Sequence, residues 1–172
     1  MTDPLDGRIG EGWSGEAPNG SHVNVVIGRR GSATAAAITG ALASPRPGHL
    51  PFLACLEVGT AVRPATVIVN KASFEGEEHA RITWGGAQLG IAQGVLDAVA
   101  EELLDPGQAA ELVLLAAVWV DPKAHDETAV RLANRAAMRD AIADAVSPPG
   151  GEAVRALAAR REEAASAYYR GG

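Results

Sequence analysis

His22, Lys71 and Gln88 are the side chains whose types and settings best suit chemistry on a small polar molecule. His22 opens a β-branched run, Val23-Asn24-Val25-Val26-Ile27. Histidine's unperturbed pKa of about 6.5 suits proton transfer near neutrality. A lone histidine is more often structural or exposed than catalytic, and nothing in the local spacing singles this one out. Lys71 follows a second β-branched run, residues 65–70, so it stands at a strand end where it could turn into a cleft. A solvated loop lysine is the plainer alternative, and composition favours it. Gln88 precedes Ile91, Ala92 and Val95 at helical spacing, which puts it on the buried side of a helix. A buried amide needs hydrogen-bond partners. A ligand could supply them, and so could a backbone carbonyl.

Other candidates are weaker. His22, His49, His79 and His125 are scattered, and no pair has a ligand spacing such as H-x-x-x-H. Cys55 is the single cysteine, so neither a CxxC motif nor an internal disulfide exists. No metal signature is present. Gly28-Arg29-Arg30-Gly31-Ser32 lies between a strand and a helix start, where backbone N–H groups could hold an anion. It matches neither the P-loop nor the dinucleotide fingerprint. A tight turn with solvated arginines is the favoured reading.

The elements that must position these residues read as follows. Residues 1–20 are rich in Gly, Asp and Glu, and form a flexible N-terminal arm with at most one short strand, over 8–13. Strands are expected at 23–27, 51–58, 65–70 and 112–120. The last is almost continuously apolar, as for a central strand buried on both sides. Residues 72–84 are ambiguous, with enough alternation over 79–84 for a strand. Ser32 is a candidate N-cap for an Ala-rich helix over 33–43. Ile91, Val95, Val99 and Leu103 make one buried stripe along a helix over 87–104, which Asp105-Pro106-Gly107 breaks. A long helix covers 124–146. Ser147-Pro148-Pro149-Gly150-Gly151 is a linker, and 152–169 forms a peripheral helix. This mixed order predicts an α+β fold, a two-layer sheet-and-helix sandwich.

Bulk properties bound the function. With 172 residues, 47% apolar and 21% charged, the chain can bury a proper core. Its net charge is −6 and no basic face is concentrated, which argues against a nucleic-acid partner. The longest run without strong breakers, 109–120, is too short to span a bilayer, which argues against a membrane partner. Met1-Thr2-Asp3-Pro4-Leu5-Asp6 lacks a basic segment followed by an apolar one, so a cytoplasmic location is expected.

Read together, these stretches resemble the formaldehyde-activating enzyme family. His22-Val23-Asn24-Val25-Val26-Ile27-Gly28-Arg29-Arg30-Gly31-Ser32 is similar to the family's opening motif. Arg63-Pro64 through Val69-Asn70-Lys71 resembles its Lys-Pro…Asn-Lys strand. Gly86-Ala87-Gln88-Leu89-Gly90, running to Asp97-Ala98-Val99-Ala100-Glu101, resembles its Pro-Ala-Gln-His-Gly helix. The resemblance covers about residues 10–146 and needs no gap between His22 and Gln88. It implies a fold like the second domain of ribosomal protein S5 over residues 21–146; the linker and peripheral helix of 147–172 lie beyond the matched core. It also implies a ring-shaped homopentamer with the cleft between neighbouring subunits.

The implied reaction joins formaldehyde to tetrahydromethanopterin or a similar reduced pterin, giving the methylene derivative and water. The enzyme is a carbon–nitrogen lyase of the hydro-lyase kind, with the pterin as co-substrate and no tightly bound cofactor. Carried over residue by residue, the catalytic acid is His22. The pterin-contacting positions are Asn24, Leu53, Lys71, Ser73 and Gln88. Asn24 stands where the family usually has Asp, Ser73 where it has Thr, and Leu89 where familiar members have His. Asn keeps the shape but loses the charge. The alternatives are the same chemistry on a different amine, a non-catalytic carrier of pterin or formaldehyde adduct, and a structural ring that lost its pocket.

Overall fold

The computed structural model describes residues 5–163. Its centre is a mixed sheet of five strands: β1 (Ile9–Ser14), β2 (Ser21–Arg29), β3 (Phe52–Leu53), β6 (Ala65–Asn70) and β7 (Leu112–Val120). The spatial order is β1-β2-β7-β6-β3, antiparallel except where β6 runs parallel to β7. Between β3 and β6, β4 (Cys55–Glu57) and β5 (Thr60–Ala61) form a separate hairpin. The helices are α1 (Ala33–Leu42), α2 (Gly76–Ile82), α3 (Gln88–Ala100), α4 (Glu127–Val146) and α5 (Gly151–Ala159).

Strand alternation divides the sheet into two faces. Val23, Val25 and Ile27 of β2 lie opposite Val118, Ala116 and Leu114 of β7, and all six are buried. With Ile91, Val95, Met138 and Ile142 of α3 and α4 they form the main core. The opposite face carries His22, Asn24, Ala117 and Trp119. Helix α1 covers only its far end, where Ala35 and Ile38 lie against Gly28. The near end is left half-exposed, and the chemistry-bearing residues stand there.

Helices α3 and α4 run parallel in register. Gln93 accepts from Arg131, Asp97 pairs with Arg135, and Glu101 with Arg139, a constant offset along both helices. Helix α4 also lies directly on β1. A Cβ added at Gly10 or Gly12 would fall 2.0 Å from the Ala141 carbonyl oxygen or 1.9 Å from that of Ala137, so only glycine permits this approach. A buried polar link joins the same helix to β2: Ser21 Oγ donates to Asn134 Oδ1 at 2.7 Å, and Asn134 Nδ2 donates to the Val130 carbonyl. Both side chains are thereby satisfied without water.

Several expectations hold. The β6 and β7 runs span 65–70 and 112–120, and Ser32 caps α1 by accepting from the Ala35 N–H. Helix α5 is exposed along its length in the single chain. Other readings are corrected. The N-terminal stretch is more than an arm: the short strand expected there over 8–13 is β1, paired with β2 over all six residues. The expected strand over 51–58 is split, because β3 joins the large sheet while β4 turns away into the hairpin. Residues 79–84 are helical rather than extended: His79, Ile82 and Thr83 are all buried, which is spacing i, i+3, i+4. A π-helical turn, Thr83–Ala87, then joins α2 to α3. Helix α3 stops at Ala100, before the Asp-Pro-Gly breaker, where Glu102 adopts a positive φ of 59°. The β7 strand is fully buried on one face and only half-buried on the other. Helix α4 begins at Glu127, with Asp126 as its cap. Of the C-terminal helix expected over 152–169, residues 164–169 lie outside the described residues.

Candidate active site

The half-exposed face assembles its groups by register. Trp13 of β1 lies opposite His22, and Glu11 opposite Asn24. Across β2, His22 lies opposite Trp119 of β7 and Asn24 opposite Ala117. On the far side of β7, Val69 pairs with Ala117, and the Lys71 N–H donates to the Val118 carbonyl. Lys71 is therefore two strand spacings from β2, about 10 Å. Ala117 between them is small, so the long lysine can cross over it.

The result is a continuous hydrogen-bonded line. Glu11 Oε1 lies 2.7 Å from His22 Nε2. Lys71 Nζ lies 3.1 Å from His22 Nδ1 and donates to Asn24 Oδ1 at 2.7 Å. The partners assign the imidazole's protons: Nε2–H donates to the Glu11 carboxylate, and Nδ1 accepts from the lysine. Partial burial pushes the Lys71 ammonium below the ordinary lysine value, and the nearby Glu11 carboxylate partly opposes the shift. Trp13 forms an aromatic wall, its ring 5.6 Å from that of His22 and stacked on Trp119 at 5.9 Å.

The other expected site residues are placed differently. Gln88, at the start of α3, accepts from the Cys55 N–H at 2.7 Å through Oε1 and donates to the Trp84 carbonyl through Nε2. Backbone groups thus engage one acceptor and one donor of its amide. It lines a groove of about 920 Å³ with Leu56, Val58, Trp84 and Leu89, which does not include His22, Asn24 or Lys71. Leu53 sits on the edge strand opposite Val67, 40% exposed. Ser73 lies in the loop after β6, its Oγ 3.5 Å from His49 Nε2. The single chain thus unites His22, Asn24 and Lys71 and leaves Gln88 in a separate groove.

Sequence reasoning missed Glu11, Trp13 and Trp119. The signal for the first two lay in the alternation of residues 9–14, readable only once that strand is paired with β2 in register. The arginine turn before α1 holds as a plain turn: Asp6 Oδ1 accepts from the Arg29 N–H and the Ser32 hydroxyl, filling the place an anion would take. His79 is structural, its Nδ1 accepting from the Glu75 N–H and its Nε2 donating to the Val120 carbonyl.

Fold and site together define a small α+β protein with a carboxylate–imidazole–lysine line on one face of its sheet. The chain belongs to the formaldehyde-activating enzyme family, whose model matches residues 9–167. That match reaches past the expected limit at residue 146 and takes in α5. The chain is 37% identical over 142 residues to the 5,6,7,8-tetrahydromethanopterin hydro-lyase of Methanosarcina barkeri, covering 83% of this chain and 80% of that protein. It is 34% identical over 138 residues to the bifunctional enzyme Fae/Hps of Archaeoglobus fulgidus, covering 80% of this chain and 35% of that protein. With the Fae/Hps of Methanothrix thermoacetophila the identity is 32% over 134 residues, 78% of this chain and 34% of that protein. The chain therefore spans about a third of these bifunctional relatives. No helix among the described residues is long and apolar enough to cross a membrane.

Proposed function

We propose that this protein condenses formaldehyde with a reduced pterin of the tetrahydromethanopterin type, giving the methylene derivative and water. The observation that carries the reading is the 37% identity to a tetrahydromethanopterin hydro-lyase along most of both chains. An amine adds to formaldehyde to give a carbinolamine, and loss of water needs a proton at the departing hydroxyl. His22 supplies it as general acid, its ring held in place by Glu11 at Nε2. The carbon keeps its oxidation level throughout, so the reaction calls for no redox cofactor.

The pterin contacts are Asn24, Leu53, Lys71, Ser73 and Gln88. That the Gln88 groove does not include His22, Asn24 or Lys71 supports a cleft completed by a neighbouring subunit, in a homopentamer with a fold like the second domain of ribosomal protein S5. The location is cytoplasmic. The test is the condensation rate with tetrahydromethanopterin and with tetrahydrofolate, followed by absorbance against the spontaneous rate. Wild type should accelerate one of them, and His22→Ala should lose roughly 100-fold. A carrier would bind the pterin with no acceleration and be indifferent to the substitution.

A further inference from the structure

The geometry points to Lys71 as a covalent acceptor for formaldehyde, its amine made nucleophilic by His22 and His22 held in place by Glu11. The inference rests on the reading above that formaldehyde is a substrate. A nucleophile activated by a base, with the base oriented by a third group, is recognised by the hydrogen bonds that join them. Here the three groups stand in line. Glu11 takes the Nε2–H at 2.7 Å, which leaves the Nδ1 lone pair directed at Lys71 Nζ, 3.1 Å away. The third contact of the line is the neutral Asn24 amide, which accepts from Nζ without a charge that would hold the ammonium protonated. Partial burial also disfavours that ammonium. A lysine freed of its proton beside a carbonyl substrate is set for Schiff-base chemistry.

The steps balance without oxidant or reductant. The Lys71 ammonium passes a proton to His22 Nδ1. The freed amine attacks the formaldehyde carbon, and the C=O pair moves to oxygen. A proton shifts from nitrogen to that oxygen and leaves the carbinolamine Lys–NH–CH2–OH. The imidazolium returns its proton to the hydroxyl, which departs as water while the nitrogen lone pair forms the iminium, Lys–NH⁺=CH2. A secondary amine of the pterin adds to this carbon. Its proton moves to the lysine nitrogen, which leaves, and the methylene stays on the pterin as an iminium. The second pterin nitrogen closes the bridge, and the proton it loses restores the Lys71 ammonium. His22 thus serves first as base and then as acid at the same nitrogen.

The composition makes the test clean. Of 15 Lys and Arg residues only two are lysine, Lys71 and Lys123. The wild-type protein is incubated with limiting formaldehyde and cyanoborohydride, which reduces an iminium to an N-methyl group, and the methylated lysine is located by peptide mass spectrometry. Lys71 should be methylated several-fold faster than Lys123, because its amine has the His22 base 3.1 Å away. His22→Ala should abolish this preference and leave Lys123 unchanged. Methylation of Lys71 no faster than of Lys123 overturns the proposal. Condensation with tetrahydromethanopterin is assayed in parallel, with Lys71→Arg, which keeps the charge but cannot form the iminium. Acceleration by a wild type whose Lys71 is not preferentially trapped, or full acceleration by Lys71→Arg, removes the covalent step and leaves the condensation reading standing. Preferential trapping without acceleration keeps Lys71 as a formaldehyde acceptor and removes the condensation reading. Should Lys71→Arg fail to fold, the wild-type trapping ratio decides alone.

Discussion

Glu11 and His22 touch although they are not register partners. Glu11 stands opposite Asn24 and His22 opposite Trp13, so the 2.7 Å contact between Oε1 and Nε2 is a diagonal across two antiparallel strands. The side chain of Glu11 is 65% exposed and that of His22 27%, so the pair adds little to stability. Its effect is on the site, where it sets which imidazole nitrogen faces Lys71.

Glu11→Gln keeps an acceptor for Nε2–H and removes the charge. The Glu11 carboxylate holds the Lys71 ammonium up against the effect of burial. Without it the lysine should lose its proton at lower pH. The pH midpoint for methylation of Lys71 by formaldehyde and cyanoborohydride should therefore move down, with the Lys123 profile unmoved. A midpoint that stays put would show that Glu11 does not act on the lysine.

Asn24→Asp should do the reverse. It sets a carboxylate against Nζ, where a neutral oxygen now accepts at 2.7 Å. An opposite charge at that distance favours the ammonium. Trapping of Lys71 near neutral pH should slow, and its midpoint should rise. If trapping is faster in the variant, the neutral amide is not what frees the amine.

Lys71 also links stability to pH. Its folded pKa lies below the ordinary value of 10.5 because burial penalises the charge. Below the folded pKa both states are protonated and the full penalty applies. Between the two pKa values the unfolded chain binds more protons, so stability rises with pH. The gap in urea midpoint between wild type and Lys71→Met should narrow in favour of wild type as pH rises toward the ordinary lysine value of 10.5. A gap that widens over that range would mean that the lysine is stabilised as the ammonium.

Gly12→Ala tests the seat of β1. The new methyl would fall 1.9 Å from the Ala137 carbonyl oxygen, a backbone atom that can yield only if α4 shifts. A loss of about 3 kcal/mol in urea unfolding is expected, at the upper end for overpacking. Activity should fall further than stability, since Glu11 and Trp13 flank the glycine. Unchanged stability would mean that helix and strand are loosely coupled.

Much of the frame was legible in the residues. The β6 run is β-branched or apolar up to Asn70-Lys71 and the β7 run is apolar up to Asp121-Pro122, so their bounds are local information. Asp6 completes the cap of α1 through a contact 26 residues away, yet Ser32 alone marked the helix start. The segment over 79–84 misled because alternation and helical spacing overlap across so few residues. Tertiary packing of His79 and Thr83 decided for the helix. Within the site, His22, Asn24 and Lys71 were legible through the family resemblance. Glu11 was not, because its role depends on a diagonal contact that exists only after two strands pair. Gln88 was placed on the buried side of its helix, but its partner, the Cys55 N–H, lies 33 residues away and left no pattern along the chain.

The contact of α4 with the glycines of β1 has a consequence for how this chain can change over generations. One side of the contact is β1, at residues 10 and 12, and the other is α4, at residues 137 and 141. A recombination event that imports β1 from a relative with a larger residue at position 10 or 12, without a matching α4, would yield a poorly seated strand and a displaced Glu11. The two segments should therefore be inherited as a pair. Chimeras between this chain and its relatives should survive crossovers inside the hairpin of β4 and β5 only when the two ends come from the same parent.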